Sequence, residues 1–201
     1  HGTLYLVAVG VSQYQDAKHS LRFAAADAKA FHKAMVAQQG QRYLKVEHRL
    51  LADGTTRPTA ANIKQALTLF KHAGPQDTVV LFLSGHGVYD GRDYYFLPYD
   101  AKAQRNQWQP DSVIKWDVLQ EALQEANGRR VLLVDTCHAG SAINPRLIKD
   151  ASDHEIIVLS ATDTYSVAQE LPELKHGVFT HALLKGLQGK ADLMGDDNVI
   201  S

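Results

Sequence analysis

Residues 78–87 read TVVLFLSGHG, and residues 131–138 read VLLVDTCH. Each stretch begins as a continuous apolar run of strand length and then passes directly into small and polar residues. Strands that are apolar on both faces are typical of a parallel sheet covered by helices on each side. The chain therefore predicts a mainly parallel sheet, whose other strands are expected at residues 4–10, 43–51, 94–97 and 156–159.

Amphipathic segments separate these strands. The first begins at Leu21 and carries apolar residues at steps of three and four. Further helices are predicted after the N-cap residue Thr59, over residues 118–126 and over residues 179–187. Residues 101–112 are polar and are expected to form a loop. The alternation of strands and helices predicts an α/β fold, a three-layer sandwich with helices on both faces of one sheet.

The composition excludes several classes of protein. The chain has 201 residues, of which 45% are hydrophobic and 21% charged, and its net charge is −1. This near-balance argues against a nucleic-acid clamp or a basic membrane-surface protein, and no apolar run is long enough to span a bilayer. Cys137 is the single cysteine, so a disulfide-stapled secreted scaffold is excluded. We expect a soluble domain, cytoplasmic because a reactive thiol is best kept reduced.

Two residues with reactive side chains each follow a predicted buried strand, and they emerge on the same edge of the sheet if the two strands are parallel neighbours. His86 and Cys137 are 51 residues apart, and each is expected in a small-residue loop at the carboxyl end of its strand. A thiol and an imidazole at one sheet edge form a cysteine nucleophile and its base. The N–H of Gly87 is a candidate oxyanion donor. The alternative is a buried structural cysteine and a structural histidine, and the joint placement of the two favours the catalytic interpretation.

The chain resembles caspase-like cysteine peptidases over nearly its whole length. The segments LYLVAVGVSQY, LRFAAADAKAF, VVLFLSGHGV, YYFLPYDA, VLLVDTCHAGS and IIVLSATD carry the resemblance, in that order. The DTCHAG segment is similar to the version found in metacaspases and bacterial orthocaspases. The resemblance implies a sandwich around a mainly parallel six-stranded sheet, and a thiol protease of the C14 type.

The same resemblance implies residue roles. Cys137 would be the nucleophile and His86 the general base and acid, with the N–H groups of Gly87 and Cys137 forming the oxyanion hole. Such a dyad needs neither a metal nor an organic cofactor. His138 matches a family position that is not the catalytic histidine.

Specificity is expected to be for basic residues. Asp135 stands where animal caspases carry Gln, Asp27 resembles a second acidic pocket residue of metacaspases, and Leu21 replaces a pocket arginine. Carboxylates in a pocket favour a cationic side chain, so we predict cleavage after Arg or Lys. Asp163 is a weaker pocket candidate. The alternative for Asp27 is a solvated helix residue or one that positions a neighbouring loop.

A single peptidase domain is expected over residues 1–201. In the family a large-subunit-like part, here 1–141, and a small-subunit-like part, here 156–201, are joined by a linker that is processed. The linker, 142–155, is expected to be a loop, and it contains Arg146 and Lys149 as autoprocessing candidates. We expect the chain to be excised from a longer protein, with the small-subunit-like part truncated.

A calcium site of the metacaspase kind is not expected. Asp100 is present, but Lys115 and Trp116 occupy later positions of that site and supply no oxygen ligand. The acidic segment ADLMGDDN is interpreted as a solvated turn.

Expected partners are protein or peptide substrates with a basic residue at the cleaved position, and a regulatory or sensor domain or partner protein. Nucleic acid and membranes are not expected partners. The alternative is a catalytically silent caspase-like scaffold. A small-molecule hydrolase or nucleotide-binding domain has little support, because G-x-S-x-G, G-x-G-x-x-G and Walker-type motifs do not occur.

Overall fold

The computed structural model describes residues 2–91, 93–105, 107–137, 145–160, 170–171 and 176–187. Its strands are β1 (Thr3–Gly10), β2 (Lys45–Ala52), β3 (Thr78–Tyr89), β4 (Tyr94–Phe96), β5 (Ala103–Gln104), β6 (Gln107–Trp108), β7 (Ile114–Lys115), β8 (Arg129–Cys137), β9 (Ile156–Ser160), β10 (Glu170–Leu171) and β11 (His176–Gly177). Its α-helices are α1 (Ala24–Val36), α2 (Ala60–Leu67), α3 (Trp116–Gln124), α4 (Pro145–Asp153) and α5 (Val178–Lys185).

Five parallel strands form the body of the main sheet, in the order β2, β1, β3, β8, β9. The last residues of β3 run on past the neighbouring β1 and pair antiparallel with β4, which in turn pairs with β7. The mainly parallel sheet is thus confirmed. The part described here has seven strands, where six were expected.

Helices cover both faces of this sheet. On one face α1 packs on β1, β2 and β3 and contacts α5, and its Phe31 ring stacks on Phe82 of β3 with centroids 4.6 Å apart. On the other face lie α2 and α3, and α4 places Leu147 and Ala151 in the same apolar core. The three-layer α/β sandwich is therefore confirmed. No described helix has the length and apolarity needed to cross a membrane.

The segment after β1 is tied down at several points. The N–H groups of Ser12 and Gln13 both donate to Asp53 Oδ2 at 3.0 Å, and Ser12 Oγ accepts from the N–H of Ala25 at 2.8 Å. Further along, the N–H of Gln15 donates to the carbonyl of Tyr99 at 2.9 Å. These bonds hold the loop and the start of α1 in fixed positions above the sheet edge.

Three local predictions differ from the structure. His86 and Cys137 lie inside β3 and β8, because the ladder between these strands continues through Gly85, where loops were expected. The polar stretch 101–112 contains the β5–β6 hairpin and a short 3-10 helix.

The linker expectation is also wrong over residues 145–153, which form α4. Leu147 and Ala151, four residues apart, are buried, so one apolar stripe docks this helix on the core. Asp150 of the same helix accepts a hydrogen bond from the indole N–H of Trp116 at 3.2 Å. The linker is therefore in part a packed helix.

Candidate active site

His86 and Cys137 are directly opposite each other in the register of β3 and β8. Adjacent strands of a sheet lie about 4.8 Å apart, so the ladder alone brings the backbones of the two residues together. Both lie near the carboxyl ends of their strands, at the sheet edge where α/β proteins assemble their sites. Their spacing is therefore set by backbone pairing and does not depend on a loop.

The His86 side chain is oriented by a backbone carbonyl. Its Nε2 lies 2.8 Å from the carbonyl oxygen of His19. A carbonyl can only accept, so Nε2 carries the proton and donates, and in the neutral ring Nδ1 carries the lone pair. The ring is half-buried, and its centroid lies 5.2 Å from that of Tyr14. The imidazole thus has one defined tautomer, with Nδ1 as the basic nitrogen.

The carbonyl of His19 belongs to a capped turn. Residues 17–19 form a 3-10 helix, whose N-cap Asp16 accepts from the N–H of Lys18 at 3.3 Å. The His19 ring packs against three other rings, with its centroid 6.3 Å from that of Tyr14, 6.0 Å from that of His86 and 5.4 Å from that of Trp108. This packing fixes the acceptor that in turn orients His86.

Gly87 occupies a position that admits no side chain. A Cβ atom there would lie 2.7 Å from the Tyr94 ring and 2.8 Å from Thr136 Oγ1, well inside contact distance. Tyr94 is fully buried, and this burial raises the pKa of its phenol above the ordinary value, so the phenol stays neutral. Gly87 and Cys137, the two candidate oxyanion donors, lie on the neighbouring strands β3 and β8.

Asp27 and Asp135 converge on the N-terminus of α5. The N–H of Gly177 donates to Asp27 Oδ2 at 3.1 Å, and Thr180 Oγ1 donates to Asp135 Oδ2 at 2.6 Å. A Cβ on Gly177 would lie 3.0 Å from Asp135 Oδ2 and 3.2 Å from Asp27 Oδ2, so both carboxylates border the same small space. Asp27 is 2% and Asp135 6% exposed. The solvated alternative for Asp27 is therefore wrong, whereas its bond to Gly177 fits the positioning alternative.

The other predicted residues lie elsewhere. Asp163 and His138 fall outside the described residues. Arg146 and Lys149 lie in α4, with Lys149 exposed. Leu21 is half-buried in the turn before α1.

The positions that the resemblance to metacaspases links to calcium make other contacts here. Asp100 Oδ1 accepts from the N–H of Ala60 at 2.8 Å, at the start of α2. Lys115 is exposed on β7, and Trp116 donates its indole N–H to Asp150. Within the described ranges, no three His, Cys, Asp or Glu side chains gather in a group that could hold a metal ion.

Several residues of this site were not predicted from the sequence. Tyr14 and His19 act on His86 through a hydroxyl and a carbonyl, and Gly177 and Thr180 hold the two carboxylates. Gly177 is 150 residues from Asp27 along the chain, so no local pattern links them. Tyr14 lies in the LYLVAVGVSQY segment, which was the one available signal.

Comparisons with known proteins agree with this architecture. The family model for the caspase domain matches residues 5–197. A protein of known structure from Geobacter sulfurreducens has a TM-score of 0.63 at 18% identity, over 94% of this chain and 83% of that one. The Drosophila initiator caspase Dronc has a TM-score of 0.54 at 14% identity, over 93% of this chain and 63% of the Dronc chain. No curated protein sequence matches the chain significantly. These likenesses confirm the caspase-like fold.

Proposed function

Because the chain belongs to the caspase domain family of cysteine peptidases, we propose that it is an endopeptidase that uses a His86–Cys137 dyad and cleaves after Arg or Lys. The observation that carries the proposal is the register of β3 and β8, in which the two residues are opposite each other. The family supplies the reaction class, hydrolysis of a peptide bond. We further propose a single domain with large-subunit-like and small-subunit-like parts, acting as a regulated effector within a larger protein.

The tautomer of His86 supports a definite proton path. Nε2 donates to the carbonyl of His19, so Nδ1 accepts the proton of the Cys137 thiol. The thiolate attacks the peptide carbonyl carbon, and the N–H groups of Gly87 and Cys137 stabilise the oxyanion that forms. When the C–N bond breaks, Nδ1 returns the proton to the leaving amine and a thioester remains. His86 then takes a proton from water, which attacks the thioester and frees the acid and the thiol.

Preference for a basic residue follows from the two carboxylates at Gly177. Asp27 and Asp135 are buried side by side. A carboxylate pairs most strongly with a cation where water is excluded. A guanidinium can satisfy both, whereas an aspartate side chain would add a third negative charge to this space. The proposed substrates are therefore proteins or peptides with Arg or Lys at the cleaved position.

Hydrolysis of matched fluorogenic peptides that end in Arg, Lys or Asp tests the proposal, in reducing buffer with and without calcium. Turnover after Arg or Lys is expected. Turnover only after Asp would keep the peptidase and contradict the acidic pocket. No turnover with any of the three would favour the catalytically silent scaffold.

Autoprocessing at Arg146 or Lys149 remains a proposal that α4 now constrains. A peptidase binds its substrate as an extended segment, whereas Lys149 lies in the middle of a helix whose next residue, Asp150, bonds Trp116. Cleavage there requires α4 to unwind, so we expect it to be slow. Intact mass after prolonged incubation should reveal clipping that is lost in Cys137→Ala.

Lys149→Gln and Arg146→Gln, measured separately, assign the cleavage site. Lys185→Gln is the matched control, because Lys185 also lies in a helix. A single unclipped mass for both the parent chain and Cys137→Ala would contradict autoprocessing.

A further inference from the structure

Beyond the end of β1, the Tyr14 side chain supplies a hydrogen-bond acceptor to β3. The β1–β3 ladder finishes at Gly10 and Ser84, with the N–H of Val11 donating to the Ser84 carbonyl at 3.0 Å. β3 runs on without β1, and the N–H of His86 donates instead to the phenol oxygen of Tyr14 at 2.9 Å. A side-chain hydroxyl thus supplies the acceptor that a strand backbone would otherwise offer.

The Tyr14 ring also contacts the imidazole that this backbone carries. The two ring centroids are 5.2 Å apart with planes inclined by 42°, and Tyr14 is 7% exposed. The phenol oxygen lies close against Gly85, where a Cβ would be 3.0 Å from it. Tyr14 therefore touches the backbone before His86, its N–H and its ring.

The segment that carries Tyr14 is itself rigidly held. Asp53 accepts from the N–H groups of Ser12 and Gln13, and Tyr99 accepts from the N–H of Gln15. The backbone on both sides of Tyr14 is therefore hydrogen-bonded to other segments. A side chain held in this way has little freedom to move, so it can keep a neighbouring group in position.

We propose that Tyr14 is a positioning residue for His86, which holds the imidazole so that Nε2 meets the His19 carbonyl and Nδ1 is turned to Cys137. This inference rests on the proposed dyad. In this assignment Tyr14 acts through His86 and has no part in binding the substrate. Its effect should appear in the reactivity of the thiol and in kcat, with KM little changed.

The test uses Tyr14→Phe, which keeps the ring and removes the acceptor. The readout is the rate at which iodoacetamide alkylates the chain, followed by intact mass from about pH 5 to 9, a range around the ordinary thiol pKa of about 8.5. Cys137 is the single cysteine of the chain, so the added mass that is lost in Cys137→Ala under the same conditions reports on it alone. His86→Ala is measured in parallel, and Tyr95→Phe is the control, because the Tyr95 hydroxyl also makes a hydrogen bond, to Asp90 at 2.7 Å.

We expect Tyr14→Phe to slow alkylation near pH 6 by about tenfold, and to lower kcat by a similar factor, because a misplaced imidazole no longer stabilises the thiolate. Thermal unfolding and amide exchange of His86 complete the measurement. Amide exchange should be faster in Tyr14→Phe, while the unfolding midpoint stays within about 5 °C of the parent.

Two outcomes would overturn the proposal, and they differ. If Tyr14→Phe alkylates like the parent while His86→Ala is slow, the dyad stands and Tyr14 does not position it. If His86→Ala itself alkylates like the parent, the proposed dyad fails, and the role of Tyr14 fails with it. A loss of reactivity in Tyr14→Phe that is matched by Tyr95→Phe would also count against the inference.

Discussion

Replacing Cys137 by Ala is expected to lower hydrolysis after Arg by at least about 10⁴-fold, and His86→Ala should lower it by a similar factor. In the proposed mechanism the two residues act as one unit, because the thiol needs a base and the leaving amine needs an acid. The double variant should therefore be no slower than either single one. Assays with one Arg peptide on the parent chain and the three variants measure this.

The fold should survive both substitutions. The β3–β8 ladder that aligns the two residues is made of backbone hydrogen bonds, which neither substitution removes. His48→Ala is a matched control for His86→Ala, because His48 is exposed on β2, an edge strand of the parallel body that does not pair with β3. Full activity in Cys137→Ala would contradict the nucleophile, and equal losses in His48→Ala and His86→Ala would contradict the base.

The second large effect is expected at the carboxylates. Asp135→Asn should lower kcat/KM for Arg peptides by about 30- to 1,000-fold, because breaking a buried charge pair costs about 2–4 kcal/mol. Asn keeps the shape of Asp, and its amide oxygen can still accept from Thr180 Oγ1. Asp27→Asn should act in the same direction. The measurement is kcat/KM for Arg, Lys and uncharged peptides on each variant.

The pattern of kcat/KM losses across the Arg, Lys and uncharged peptides distinguishes a role in the pocket from a structural role. Losses confined to Arg and Lys peptides support the pocket, whereas equal losses on an uncharged peptide would place Asp135 in the framework of the fold. Asp111→Asn is the control, because Asp111 is exposed in the 3-10 helix Pro110–Ser112. Iodoacetamide reactivity of Cys137 should be unchanged in Asp135→Asn if the carboxylate acts on substrate alone.

Much of the sheet could be predicted, because its strands are apolar on both faces. The runs at 4–10, 78–83 and 131–134 differ from β1, β3 and β8 mainly in length. β3 was underestimated because glycine normally weakens a strand, and the SGHG segment was therefore expected to be a loop. In the structure, pairing with β8 and β4 outweighs that tendency.

Helix α4 was missed for a different reason. Its charged and polar residues suggested an exposed loop, yet Pro145 at the start and the spacing of Leu147 and Ala151 are typical of an amphipathic helix. Closer attention to that spacing would have found it.

The candidate site could be predicted only where its residues belong to recognisable sequence motifs. His86, Cys137 and the two acids stand in recognisable segments, whereas the carbonyl of His19 and the N–H of Gly177 belong to backbone that any residue could supply. Such partners are set by tertiary packing across long stretches of chain. No single-sequence pattern contains them.

The backbone pairing between β3 and β8 also bears on how this domain can evolve. Since the ladder consists of main-chain hydrogen bonds, replacing the side chain of Cys137, the last residue of β8, leaves those bonds in place. A single codon change at Cys137 would therefore remove the proposed chemistry while leaving a folded domain that can evolve another role. Descendants with and without the activity should therefore share this sheet while differing at Cys137 or at His86.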